Sequence, residues 1–265
     1  MDICRAFVTI AVLIILASAS SQDWRRREVD DIHWWAIMAI GSSSMCICSL
    51  LEGNLLCTIS AVAASLLFCG MMRDNLPLTL SGIAVSIMLW SVAFMSGVSD
   101  PGTISVLAVP VFIILFYGTY AIGMLPGGAD VKCLMSISIV VPAWGCYPPN
   151  QLFMRLVFPP SVSVMAVACV ITVVSGIIWG VYKNRCLALS GVHCYRMPIA
   201  EARRAHVWIL EDVVDGEIAR TEGSEDIAPV CDRLEDHGAD DVLVSPMYPF
   251  VIPLTAAFVL VMLSS

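Results

Sequence analysis

LLCTISAVAASLLFCGMMRDNLPLTLSGIAVSIMLWSVAFMSGV, residues 55–98, is the stretch that decides the fold. It contains two apolar runs, Leu55–Met72 and Leu76–Val98, parted only by Arg73-Asp74-Asn75. Each run is close to the ~20 helical residues that cross a hydrocarbon core. A three-residue break leaves no room for a folded loop, so the two helices must form a tight antiparallel hairpin. Glu52-Gly53-Asn54 and Ser99-Asp100-Pro101-Gly102 break the chain in the same way on either side, with Gly and Pro ending each helix.

The same pattern runs from Trp34 to Tyr182. Every ionisable residue in that block (Glu52, Arg73, Asp74, Asp100, Asp130, Lys132, Arg155) falls at or near a break. The expected spans are Trp34–Leu51, Leu55–Met72, Leu76–Val98, Thr103–Met124, Cys133–Tyr147 and Ser161–Tyr182, and a first segment before them brings the number to seven. Composition agrees: 58% of the residues are hydrophobic, only 14% are charged, and the mean hydropathy is +0.85, far from the values of a water-soluble domain.

Residues 1–21 carry a single Arg5, an apolar core from Ala6 to Leu16 and then Ala17-Ser18-Ala19. That order suits a cleaved secretory signal or an uncleaved first span. Arg25, Arg26 and Arg27 follow at once, and such a cluster resists translocation, which favours an uncleaved span or signal anchor. On this map one side of the membrane collects Arg25–Arg27, Arg73, Lys132, Lys183 and Arg185, and the other has only Arg5 and Arg155. The positive-inside rule then places the N-terminus in the lumen or outside the cell and the segment after Tyr182 in the cytoplasm.

Cys133–Tyr147 is the weakest span, because it is short, contains Pro142 and runs into Pro148-Pro149. It reads as a short, tilted or kinked helix, or else as a re-entrant segment, and the second reading makes Pro142, Trp144 and Pro149 candidate pore or re-entrant residues. Small residues at four-residue spacing, Ala61/Ser65/Cys69, Gly82/Ser86 and Gly176/Gly180, point to close helix packing first and to homo-oligomer contacts second.

Beyond Tyr182 the character changes. Residues 183–204 are basic, and Lys183, Arg185, Cys186 and Cys194 are candidates for lipid contact or lipidation. Residues 205–247 are acidic, and this part is the candidate surface for a protein partner. One stripe, Ile199, Ala202, His206, Ile209 and Val213, fits a helix starting at Pro198. The competing reading is a strand at His206–Glu211, an Asp215-Gly216 turn, a helix through Cys231–Asp236 and a strand at Val242–Val244. Pro249–Leu263 is apolar and uncharged, and is expected to be an eighth span.

Chemistry-bearing patterns are scarce. The 4 histidines, His33, His193, His206 and His237, lie outside the expected spans, so no Ser/His pair is set up within the bilayer. Cys186, His193, Cys194, His206, Cys231 and His237 lack the paired spacing of a zinc site. Most of the 11 cysteines sit in or beside apolar stretches and read as packing thiols, although Cys48 and Cys57 flank the Glu52 hairpin at similar depth and form a candidate disulfide. With a net charge of -8 and no basic face, nucleic acid is not an expected partner.

The expected fold class is therefore an all-α integral membrane protein. It is a polytopic helical bundle of seven to eight transmembrane helices with a small cytoplasmic α or α/β segment. The divisions are 1–21 (first span or signal anchor), 34–182 (bundle), 183–247 (cytoplasmic, basic then acidic) and 248–265 (C-terminal hydrophobic segment). No catalytic residue, cofactor or metal is assigned. The expected function is that of a non-catalytic scaffold, assembly or trafficking factor, of accessory or viral style, in an endomembrane, plasma or host membrane. The alternative is a channel or facilitator for a small neutral solute. The lipid bilayer is the expected partner in either case.

Overall fold

The structure, a computed structural model, describes residues 3–125, 127–141, 159–184, 194–224 and 226–264. It is mostly helical, with one small sheet, and divides into two compact units: 1–169 with 249–265, and 170–248.

The first unit is built from α1 (Ile3–Arg26), α2 (Ile32–Leu51), α3 (Leu55–Met72), α4 (Leu76–Met95), α5 (Pro101–Leu107), α6 (Val109–Ala121), α7 (Gly128–Val140), the first part of α8 (Pro160–Asn184) and, after the second unit, α11 (Val251–Ser264). Among the described residues 6 segments are long and apolar enough to cross a membrane: Arg5–Arg26, α2, α3, α4, Pro101–Ala121 and Pro160–Tyr182. Their outward faces carry large apolar side chains such as Phe7, Ile87, Phe94 and Ile178, each more than half exposed. Lipid rather than water suits such a surface.

The three short breaks work by local chemistry. Gly53, Asp74 and Gly97 take left-handed conformations just past α2, α3 and α4 (φ 69°, 49° and 64°). The next N–H then reaches back to close each helix, Asn54 to the Ser49 carbonyl at 2.8 Å, Asn75 to Gly70 at 2.8 Å and Val98 to Ala93 at 3.0 Å. The following helix is capped by the side chain of Asn54, Asn75 or Asp100, which accepts from the N–H of Cys57, Leu78 or Thr103. Each break thus terminates one helix and starts the next.

The expected span from Thr103 is broken at Ala108 into α5 and α6, because Pro110 has no N–H to donate. The carbonyls left over are taken by other helices. Ser60 Oγ donates to the Val106 carbonyl at 3.1 Å, and the Trp90 indole N–H donates to Leu107 at 3.0 Å. Trp90 is therefore a packing residue with a polar task.

α7 occupies the interior of the unit. It packs against α2, α3, α6 and α11, and every residue from Val131 to Val141 except Lys132 is buried. A helix buried all round belongs at the centre of a bundle. At 13 residues it is roughly 20 Å long at 1.5 Å per residue, short of a full crossing. Its approach to α2 needs Gly41, where an added Cβ would lie 2.9 Å from the Val140 backbone. Gly82 of the Gly82/Ser86 pair lets Leu67 of α3 come equally close, so that spacing serves packing inside the unit. The remainder of the Cys133–Tyr147 span, with Pro142, Trp144 and Pro149, lies outside the described residues.

The second unit settles the strand-or-helix ambiguity in favour of strands. Its order is β1 (Tyr195–Pro198), α9 (Ile199–Ala202), β2 (Val207–Val214), β3 (Glu217–Ser224), α10 (Ile227–Asp236) and β4 (Asp241–Pro246). The sheet order is β1-β4-β2-β3, antiparallel throughout. Asp215 and Gly216, at φ 53° and 83°, form the tight β2–β3 turn expected of an Asp-Gly pair. Val230, Cys231 and Leu234 of α10 cover Val207, Ile209, Val242 and Val244. The helical stripe fails after Ala202 because Val207 and Ile209 alternate inward at the strand period.

Candidate functional site

One group of polar side chains of the first unit gathers where α1 and α3 finish and α2, α7 and α11 begin. Lys132 Nζ donates to Asp31 at 2.6 Å, and the Arg73 guanidinium lies 5.3 Å from the centre of the Trp35 ring. Arg25 and Arg26, in the last turn of α1, belong to the same end. Of the cations expected on one side, Arg25, Arg26, Arg73 and Lys132 share this end of the folded unit.

Two carboxylates distant in sequence, Asp23 and Asp130, influence each other there. Asp23 is buried in the last turn of α1 and accepts from the Val251 N–H at the start of α11 at 3.1 Å. Asp130, in the first turn of α7, folds back over Gly127, where any Cβ would collide with its carboxyl group. Burial pushes the Asp130 carboxyl up to about 7, and the Asp23 charge adds to the shift. Arg27, in a left-handed conformation at φ 58°, lies 5.7 Å from the Trp24 ring centre, and its Nε and Nη1 are buried with no hydrogen-bond partner among the described residues.

His33, expected ahead of the second span, instead lies in the first turn of the membrane-length helix α2 and is bonded at both ring nitrogens. Its Nδ1 faces the Asp30 carbonyl at 3.0 Å, so it carries the proton, and Nε2 accepts from Ser18 Oγ at 3.1 Å. Gln22 holds Asp30 through its side-chain amide at 2.7 Å. These contacts stitch the α1–α2 connection.

Beside this cluster a cavity of about 210 Å³ opens between the ends of α3 and α6 and the first turns of α7. Asp74 and Lys132 supply its charges, Tyr117 and Tyr120 its phenols, and Met71, Met72 and Met135 most of its apolar wall. Tyr117 and Tyr120 are tilted 55° to each other with ring centres 6.4 Å apart. The cavity brings together Asp74 and Lys132, both placed at breaks by the sequence pattern, with two tyrosines that no sequence signal had singled out.

The other sequence-derived candidates fare differently. Arg185, Cys186 and the side chain of Lys183 lie outside the described residues. Cys194 is fully buried in the second unit and receives a long contact from Arg220 Nη2 at 3.8 Å, a placement at odds with lipidation. Cys48 and Cys57 are not joined: Cys48 is exposed on α2, whereas Cys57 is buried in the first turn of α3. Among the described residues no three His, Cys, Asp or Glu side chains converge as a metal site.

In the second unit Arg196, Arg203 and Arg233 are committed to carboxylate neighbours. Arg196 spans Glu211 at 2.7 Å and Asp241 at 2.6 Å, and Glu211 also accepts the Leu243 N–H at 2.9 Å, where β2 parts from β4. Arg203 bridges Asp232 and Glu235 on α10, and Arg233 grips Asp212 with both Nε and Nη2. The Arg233 contact holds the Asp212 carboxyl below its ordinary range. This surface is an ion-paired face of a folded module.

No family model matches the chain, and a search among curated proteins found no relative.

Proposed function

We propose that this protein is a non-catalytic, multi-pass membrane scaffold or assembly factor whose second unit is its docking module. One observation carries the reading: residues 194–246 form an α+β body with its own core, Tyr195, Ile209, Cys231, Leu234 and Val244 among it, while the described membrane-length helices α2, α3 and α4 are joined by breaks too short to grip anything. The acidic balance of 205–247 suits a partner with a basic surface, and the basic residues 183–204 suit anionic lipid at the root of the module. In this reading the Arg25–Arg27, Arg73 and Lys132 end faces the cytoplasm, α11 re-enters the membrane as a further crossing, and the bundle has seven to eight spans. An accessory role in a host or endomembrane is compatible with such an arrangement.

Deletion of residues 205–247 tests it. The truncated chain is expected to insert with unchanged topology and to lose its place in any higher-mass complex seen on native gels of the source membrane. An unchanged complex overturns the docking role.

A second reading, a channel or facilitator for a small neutral solute, is favoured by α7. A 13-residue helix buried on all sides, with a cavity at its N-terminal end, is the kind of interrupted element that lines solute paths. Proteoliposome swelling assays decide it: selective entry of glycerol or urea above the protein-free rate supports a path, and entry at the protein-free rate rules it out.

A further inference from the structure

The cavity between α3, α6 and α7 opens to the surface, with Asp74 and Tyr120 exposed in its lining, and its opposite charges, Asp74 and Lys132, are not paired with each other. Lys132 is held by Asp31, which does not line the cavity. An ammonium has three N–H donors, and the Asp31 bond at 2.6 Å uses one of them. Asp74 makes no hydrogen bond or ion pair among the described residues, and the phenols of Tyr117 and Tyr120 make none either.

Each of these groups has an obvious complement. A carboxylate and two phenol rings lining one cavity receive an organic ammonium, through charge and through the ring faces. A lysine with uncommitted N–H donors, next to phenolic O–H groups, receives a phosphate or carboxylate oxygen. A simple anion in the same space meets Asp74, and a simple cation meets Lys132. Like-sign contact in a partly enclosed site costs enough to reject both. The thioethers of Met71, Met72 and Met135 form an adaptable wall for the methylenes that separate the two charges.

We propose that this cavity binds a compact zwitterion, an organic ammonium joined by a short linker to a phosphate or carboxylate. Its volume of about 210 Å³ admits a group of head-group size and excludes a large ligand. The same chemistry is offered by the head group of a zwitterionic phospholipid and by a free small molecule. The site belongs to the first unit alone and does not depend on the docking role of the second.

The experiment uses the full chain, delipidated in a mild detergent. In one arm free phosphocholine and phosphoethanolamine are titrated by calorimetry, with choline and methyl phosphate as single-charge controls. In the other, native mass spectrometry compares retention of phosphatidylcholine and phosphatidylethanolamine with retention of phosphatidylglycerol of the same chain length. Saturable binding of a zwitterion in either arm is expected, weakened about tenfold by Asp74→Asn and by Lys132→Gln, as loss of one charge-assisted contact implies. Binding in the first arm identifies a soluble ligand, and retention only in the second identifies lipid.

Asparagine tolerates the left-handed backbone at position 74, so Asp74→Asn keeps the fold and decides the matter even if Lys132→Gln destabilises the chain through Asp31. Tyr117→Phe with Tyr120→Phe is a further variant that changes no backbone. The proposal is overturned if neither arm shows binding, if Asp74→Asn binds as well as the native chain, or if methyl phosphate or choline binds as tightly as the zwitterions.

Discussion

Asp130 shows how much a single residue can be altered by its neighbours. Its folded pKa, about 7, lies above the ordinary 3.8, so the folded state holds the proton more tightly than the unfolded chain. Stability therefore falls as pH rises from the lower value to the upper. The melting temperature of the detergent-purified protein should decline across that window, and Asp130→Asn should flatten the decline; a flat native profile contradicts the assignment. Glycines give a second test at this scale. A Cβ at Gly70 would sit 2.6 Å from the Thr79 amide nitrogen and one at Gly41 would sit 2.9 Å from Val140, whereas Gly118 has open space around it. Gly70→Ala and Gly41→Ala should each cost about 1–3 kcal/mol by forcing helices apart. Gly118→Ala should be neutral or stabilising by up to about 1 kcal/mol, since α6 there gains a better helix former. Thermal unfolding of the three variants side by side checks the ranking.

At the scale of elements, the breaks were legible because they are chemical punctuation. Gly53 and Asn54, Asp74 and Asn75, and Gly97 with Asp100 each combine a left-handed terminator with a side-chain cap, and those residue types announce themselves. The division at Pro110 was not legible as a division, since a proline in an apolar run is equally consistent with a kink; what decides it is that Ser60 and Trp90 donate to the stranded carbonyls. The strands of the second unit were one of two readings, because Ile199 and Ala202 do sit on a short helix before the period changes. The candidate site was only half legible. Lys132 and Asp74 stand at breaks, but Asp23 lies far from Asp130 in sequence, and tyrosines at the end of an apolar span look like ordinary interfacial aromatics. The burial of α7 yields its own prediction. Leu134→Ala, at a fully buried position, should cost about 2–5 kcal/mol, whereas Ile87→Ala, on an outward face of α4, should change stability far less. Equal losses in thermal unfolding would mean that the outer face of α4 is covered in the native assembly.

For the whole molecule, the shared end of the bundle makes a topological prediction. Cysteines introduced at Glu28 and Met124 should react with an impermeant maleimide from the same side of the membrane, and cysteines at Glu52 and Ser99 from the other, in a background without native exposed thiols. All four positions are exposed in the structure. If the positive-inside rule holds, the Glu28 side is cytoplasmic. Labelling of Glu28 and Glu52 from one side would mean that α2 does not cross.

The clasp between α1 and α11 has a consequence for biogenesis. Ser20 Oγ lies 2.8 Å from Thr255 Oγ1, and Asp23 takes the Val251 amide, so α1 is completed by partners that follow it 235 and 228 residues later in the chain. Until translation reaches α11, Ser20 and Asp23 lack these contacts, and α1 must wait in the insertion machinery or against a chaperone. Contacts of such long sequence separation form slowly. A nascent chain arrested before Val251 should therefore stay bound to its insertion factors, and release of the bundle into the lipid phase should follow the emergence of α11.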